Sequence, residues 1–219
     1  MNFSFLDKYS SYFLKGAEIT IVLAFFTVLL GTALGLCLTL LRRSKIKPIS
    51  FIATAYVEFV RGTPLLVQIY IIYIGLPKLI GVDLPDITTG IVALSLNSSA
   101  YVSEIIRAGI DAVDKGQIEA ARSLGMNQRL AMFEIVIPQA FKNILPALGN
   151  EFISVIKESS MVSVIGVAEL MYNAGIVRSN TALGLEPVIV AAVIYFVITF
   201  TLTRVLGVIE RRLKASDIR

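Results

Sequence analysis

The chain has 219 residues, 56% of them hydrophobic, with a mean hydropathy of +0.78; that is too apolar for an ordinary soluble domain and marks an integral membrane protein. Its formal net charge of +4 resides in clusters rather than in one basic arm, which points to membrane topology and away from nucleic-acid binding. With no histidine and a single cysteine, Cys37, the sequence excludes histidine-based triads, His/Cys metal sites and intrachain disulfides, so no catalytic residue and no metal ligand is expected.

Met1 to Lys15 mixes Phe3, Phe5, Leu6, Tyr9, Tyr12 and Phe13 with polar residues. It is too short and too mixed to span a bilayer, and aromatic rings favour the headgroup level, so residues 1–15 are expected to form an external interfacial segment. The apolar run Ala17 to Leu41 exceeds the roughly 7–15 residues of a signal-peptide core and has no strong cleavage signal, so it reads as a retained first span. Cys37 within it is expected to be inert packing. Arg42, Arg43, Lys45 and Lys47 follow at once. Such clusters stay in the cytoplasm, which places the N-terminus outside.

From Pro48 to about Ile80 the chain stays largely apolar, longer than the roughly 20 residues a straight helix needs to cross hydrocarbon, so it must bend or tilt. Gly62-Thr63-Pro64 is the expected place, because proline removes a helical hydrogen bond and disfavours helix in the residue before it. Glu58 and Arg61, three apart, are expected to pair on one helix face. Gly75, Pro77, Gly81 and Pro85, with Asp83 and Asp86, punctuate an external loop. A third span runs from about Ile87 to Ala108 with Asn97, Ser98 and Ser99 near its middle. Polar groups at that depth need a partner or a water-filled cavity. Glu104 and Arg107 can pair near its cytoplasmic end.

Residues 114–134 interrupt the apolar sequence with polar and basic residues. Asp114-Lys115-Gly116-Gln117 reads as a capping-box variant, the Asp114 carboxylate accepting from the Gln117 N–H while the Gln117 side chain reaches back. Ile118, Ala121 and Leu124 make a narrow apolar stripe on a short helix. Gly125 stops it, since glycine takes the left-handed conformation at little steric cost. Asn127 is placed to cap a second short helix carrying Leu130 and Phe133, before Ile135, Ile137 and Pro138 lead back into apolar sequence.

Pro138 to Lys157 is a weaker span, interrupted by Lys142, Pro146, Gly149, Asn150 and Glu151; a helix broken there belongs inside a bundle or an oligomer. Ser159 to Val177 is expected to be a short helical element that enters the membrane partly. Pro187 opens the last span, which runs to about Val208 and ends in Arg211, Arg212, Lys214 and Arg219, again a cytoplasmic signature. The expected fold class is an all-α integral membrane protein of about five transmembrane helices, N-terminus outside and C-terminus cytoplasmic, with residues 16–219 forming one transmembrane domain. If the third and fourth spans are centred near residues 97 and 150, Asn97, Ser98, Asn150, Glu151 and Ser154 share a depth near the midplane and can line one cavity.

Glu119-Ala120-Ala121, Gly125 four residues on, then Ile135 and Ile137-Pro138, resemble the EAA motif of bacterial ATP-binding-cassette (ABC) importer permeases, with Ile137 where Leu is usual. Arg61-Gly62-Thr63-Pro64-Leu65-Leu66 with Gln68, the stretch Leu96 to Ile110 running on through Lys115-Gly116-Gln117, and Met161 to Val167 resemble the polar amino acid branch of that family. The likeness covers the chain from about residue 16 to the C-terminus. It implies the type I ABC importer permease fold in a multi-pass protein of the bacterial cell membrane. It also implies that residues 114–134 are a cytoplasmic helix-turn-helix docking into a cleft of the ATPase, with Glu119, Ala120, Ala121 and Gly125 as the coupling residues. The implied partners are two ATPase subunits, a second permease subunit, an extracytoplasmic solute-binding protein and a polar amino acid as cargo.

No G-x-x-x-x-G-K-[ST] loop and no Gly-Lys dipeptide occurs, so the chain lacks the cradle and lysine that hold ATP phosphates. ATP and Mg are expected on the partner ATPase, and this chain is expected to carry no cofactor and no enzymatic activity. It is expected to be the membrane-spanning subunit of an ATP-driven importer. An unpaired Glu151 at mid-depth calls for a positive charge, which tilts the cargo toward basic amino acids; internal pairing with Lys157 or Lys142, or exposure to water in a non-selective pathway, is the alternative. The rival reading is a secondary transporter or channel with Glu58, Glu104 and Glu151 as proton or cation sites, which leaves the EAA spacing unexplained. The sequence leaves open which amino acid is carried and whether the second permease is a copy or a sister chain.

Overall fold

The computed structural model describes residues 1–215, with side chains as far as Leu213; Arg219 of the expected C-terminal basic cluster lies outside the described residues. Helices take up 85% of the chain and no strand occurs among the described residues. Backbone groups are thus satisfied within each segment, as hydrocarbon requires.

Helix α1 spans Leu6–Arg42, 37 residues, about 55 Å at roughly 1.5 Å per residue. It starts well before the apolar run. Phe5 and Phe13 are buried against Leu170, Ala174, Val177 and Ala191, with Leu6 and Tyr9 packed beside them. Most of residues 1–15 therefore continue the first helix instead of forming a separate segment, because protein covers the aromatic rings. The hidden face of α1 repeats at four-residue steps, Thr27, Gly31, Gly35 and Thr39, and lies along α4 (Asp86–Asp111). Small residues let two backbones approach where lipid provides no hydrophobic drive between helices. A Cβ at Gly31 would sit 3.0 Å from Ser98, and one at Gly35 2.7 Å from Val102. Away from that stripe α1 exposes Phe25, Leu29, Leu36 and Leu40 together with Cys37, which is not inside the packing as expected.

The next apolar stretch divides into α2 (Lys47–Gly62) and α3 (Leu65–Ile80), which meet at 115°. The break falls at Thr63 and Pro64, both extended, where the sequence places it. Gln68 holds the corner. Its Nε2 donates to the Val60 carbonyl at 2.7 Å, the Thr63 carbonyl at 3.1 Å and the Thr63 hydroxyl at 2.9 Å, supplying a donor to carbonyls that the ended helix leaves without one. Its Oε1 accepts from Asn97 Nδ2 of α4 at 2.9 Å.

Short helices α5 (Lys115–Ser123) and α6 (Gln128–Ala131) form a hairpin, and a π-helical turn, Met132–Val136, leads into α7 (Ile137–Glu158). Helix α7 runs unbroken through Pro146 and Gly149, contrary to the expected interrupted span. An internal proline costs about 3 kcal/mol, and the packing of α7 against α1, α4 and α9 offsets it. The discontinuity comes later: a 3₁₀ segment, Ser159–Ile165, and left-handed Gly166 lead at 51° into α8 (Leu170–Thr181). Glu169, fully buried, caps α8 by accepting from the Met171 and Tyr172 N–H groups at 2.8 and 2.7 Å. Tyr195 of α9 (Glu186–Ala215) donates to the same carboxylate at 2.6 Å. Helices α1 and α9 are each long and apolar enough to cross a membrane; α2 with α3, and the stretch 128–165 with α8, qualify as bent pairs.

Candidate functional site

Val113, Val136 and Ala140 form a buried cluster with Ile110, Ile118, Met132 and Ile144 around it. This seats the α5–α6 hairpin on the end of α4 and the start of α7. Asp114 caps α5, but through the Gly116 N–H at 2.7 Å; the Gln117 N–H goes instead to the Asp114 carbonyl at 3.1 Å. The short aspartate arm takes the nearer of two orphan donors. At the other end the Met126 N–H reaches the Ala121 carbonyl at 3.1 Å and the Gly125 N–H the Arg122 carbonyl at 3.0 Å, with Gly125 at φ +89°. That Schellman closure needs a left-handed residue, which glycine supplies without strain. Asn127 Oδ1 accepts from the Leu130 N–H at 2.9 Å and opens α6.

Among the four residues selected for coupling, Ala121 is buried at 4% exposure, while Glu119, Ala120 and Gly125 are exposed. Leu124, at 85% exposure, departs from the expected buried stripe, because it follows the last turn of α5 and projects past the cluster. Ala120 and Leu124, four apart, share a helix face. With Leu130 and Phe133, also exposed, they give the hairpin an uncovered apolar surface next to an acidic side chain.

The residues selected for the pathway do not form one group. Ser98 Oγ donates to Glu151 Oε1 at 2.7 Å, joining α4 to α7, and none of the ion pairs among the described residues involves Glu151. Asn97 is buried and turned toward Gln68. Adjacent helical residues point about 100° apart, so Asn97 and Ser98 serve different neighbours. Asn150 is exposed and Ser154 half-buried, and neither bonds to the Ser98–Glu151 pair. Glu158, half-buried and seven residues beyond Glu151, falls on the same face of α7.

At the basic end of α1, Glu104 gathers three guanidinium groups: Arg42 of α1, Arg107 at 2.9 Å and Arg61 at 3.5 Å. The i,i+3 pair of Glu104 and Arg107 forms as the spacing predicts. The Glu58–Arg61 pair does not form among the described residues, since α2 packs on α4 through Val57 and Val60 and turns Arg61 toward Glu104, where it also lies 5.8 Å over the Tyr101 ring. Asp111 faces Arg107 at 2.9 Å and Arg43 at 3.5 Å.

With this geometry in place, comparison with known proteins is informative. The model of a family described as binding-protein-dependent transport system inner membrane component matches residues 27–215. The chain is 44% identical over 220 residues to the arginine transport system permease protein ArtQ of Bacillus subtilis (strain 168), covering 99% of each. It is 42% identical to the putative glutamine transport system permease protein GlnP of Rickettsia bellii (strain RML369-C), covering 98% of this chain and 100% of that one. A crystal structure of an amino acid ABC transporter with histidines superposes with a TM-score of 0.91 at 52% identity, over 97% of this chain and 100% of that chain. The methionine ABC transporter MetNI, inward facing, has a TM-score of 0.77 at 15% identity, covering 93% and 97%, a likeness of fold alone.

Proposed function

The chain belongs to the binding-protein-dependent transport system inner membrane component family, as an amino acid ABC transporter permease subunit whose ATPase is a separate chain, and from that premise we propose how its parts divide the task. Two ATPase subunits, a second permease subunit and an extracytoplasmic solute-binding protein complete the assembly in the bacterial cell membrane. The spans number five, α1, α2 with α3, α4, α7 and α9, with the N-terminus outside and the C-terminus cytoplasmic. Helix α4 is 26 residues long, about 39 Å at roughly 1.5 Å per residue. Its polar residues are buried against other helices, so low hydropathy does not argue against its crossing.

The observation that carries the reading is the rigidly capped, uncovered α5–α6 hairpin, seated on the two helices that also hold Ser98 and Glu151. The ATPase grips Glu119, Ala120 and the neighbouring apolar residues, and its movement reaches α4 and α7 through the Val113, Val136 and Ala140 cluster. Ser98 and Glu151, with Glu158 a further two turns along, border the pathway and favour a cationic amino acid side chain. Similarity to an arginine permease agrees with that cargo, while similarity to glutamine permeases shows that family alone does not choose it. The test is uptake by vesicles holding the permease and its ATPase, with the solute-binding protein supplied on the external side. Vanadate is expected to abolish uptake and a proton ionophore to leave it; the reverse result means a secondary transporter.

A further inference from the structure

Between α1, α2 and α4, where α1 ends in its basic cluster, a cavity of about 220 Å³ is lined by Thr39, Arg42, Arg43, Thr54, Arg107 and Asp111. Four guanidinium groups meet two carboxylates here, because Arg61 joins the group through Glu104. Two positive charges are left over. Each arginine offers five N–H donors in a rigid fork. Arg42 uses Nη1 on Glu104 and Ser103, and among the described residues the Arg43 side chain, 44% exposed, makes one ion pair, with Asp111 at 3.5 Å. The Thr54 hydroxyl is half-buried and makes no side-chain hydrogen bond among those described. The cavity therefore presents unused donors and excess positive charge, which is the complement of a phosphate oxygen.

Exposed apolar side chains stand within two helical turns of the cavity. Leu36 and Leu40 lie seven and three residues before Arg43, on the same face of α1, and both are exposed; Phe51, three before Thr54 on α2, is exposed too. A cationic pocket within two helical turns of uncovered apolar side chains fits an amphiphile better than a soluble ion. We propose that this cavity binds the phosphate headgroup of an anionic phospholipid, with an acyl chain lying along Leu36 and Leu40. Basic pockets between membrane helices recognise such headgroups by this combination of charge and depth. The site asks only that this end of α1 sit at headgroup level, so it is independent of which amino acid is carried.

The experiment is native mass spectrometry of the purified permease–ATPase complex in micelles holding phosphatidylglycerol or phosphatidylcholine. Arg43 is the residue to change, since it makes one long surface ion pair and does not anchor the fold. The wild type is expected to retain phosphatidylglycerol over phosphatidylcholine. Arg43→Gln is expected to weaken that retention about fivefold, the worth of one basic residue near an anionic surface, and Arg43→Lys to keep most of it. Equal retention of the two lipids, or no effect of Arg43→Gln, overturns the proposal. Displacement by glycerol 3-phosphate or inorganic phosphate at the lipid's own concentration overturns it in favour of a soluble phosphate. Loss of the ATPase from the Arg43→Gln complex overturns it in favour of a protein contact. None of these readouts requires transport, so the result stands apart from the assignment of cargo.

Discussion

Ser98 of α4 donates to Glu151 of α7 at 2.7 Å, and the other ends of these two helices meet in the cluster that seats the α5–α6 hairpin. One pair of helices therefore touches both the polar pair and the docking surface. A helix hydrogen-bonded along its length transmits a displacement at one end with little loss.

Glu151→Gln keeps the shape of the side chain and its bond to Ser98 but removes the charge. In reconstituted transporter we expect the KM for arginine to rise roughly tenfold or more, as losing a hydrogen bond to a charged group implies, and glutamine uptake to change little. Unchanged arginine dependence in a normally assembled complex would remove Glu151 from the pathway and with it the preference for a basic cargo.

Glu119→Lys reverses the charge on the exposed face of α5. The protein is expected to stay in the membrane while its affinity for the ATPase falls by about 2 kcal/mol or more, roughly thirtyfold, as expected for repulsion across a partly desolvated contact. Normal assembly and uptake by this variant would refute the docking assignment.

Gln68 and Asn97 act as one unit at the α2–α3 corner. Either Gln68→Ala or Asn97→Ala is expected to cost about 1–3 kcal/mol, the penalty of stranding buried polar groups. The double substitution should cost less than the sum, because both remove the same bond. Additive shifts in thermal unfolding midpoint would show that the two residues act independently.

Gly35 and Gly75 are both helical glycines with opposite surroundings. A Cβ at Gly35 would meet Val102 at 2.7 Å and the Ser99 carbonyl at 2.9 Å, whereas nothing lies within 4 Å of one at Gly75. Gly35→Ala is expected to destabilise by about 1–3 kcal/mol through overpacking, and Gly75→Ala to stabilise by up to about 1 kcal/mol through helix propensity. Equal effects in a thermal melt would argue against close packing of α1 on α4.

The proposed topology makes its own forecast. Reporters fused after Lys45, within the hairpin, or after Lys214 are expected to behave as cytoplasmic, and one near Asp83 as external. Labelling of a cysteine at Ser123 by an impermeant reagent in intact cells would invert the arrangement.

Several features were legible because their causes are local. Pro64 disfavours helix at Thr63 directly after Gly62, so the α2–α3 corner could be located from three residues, although Pro146 stays inside α7. Gly125 and Asn127 end and begin short helices through donors no more than a few positions away. The i,i+3 spacing of Glu104 and Arg107 brings them together on any helix. Other assignments failed at the same scale of reasoning. Asp114 had two donors in reach and took the nearer, and Leu124 had the periodicity of a buried residue but no neighbour at the end of its helix.

Two residues with central structural roles gave little sign of them. Gln68 is a lone amide in an apolar helix four residues after a proline, a position from which it can reach freed carbonyls, and that spacing was the one available signal. Glu169 directly precedes a short helix, a position that is ordinarily solvent-exposed. Its burial depends on α1 and on Tyr195 of α9, which no local pattern announces.

The sequence by itself determined the apolar character of the chain, the α2–α3 corner, the turn between α5 and α6, and the motif by which it resembles its family, since hydropathy, capping and glycine conformation act within a few residues. Tertiary structure decided which polar groups meet. Asn97 and Ser98 are adjacent in sequence, yet one closes on Gln68 and the other on Glu151. Arg61 leaves Glu58 for Glu104 because α2 packs against α4 through Val57 and Val60. Polar groups buried in hydrocarbon are costly without a partner, and which partner each of these finds is fixed by helix packing: the small-residue stripe of α1 sets its spacing from α4, and the packing of α2 on α4 sets the reach of Arg61.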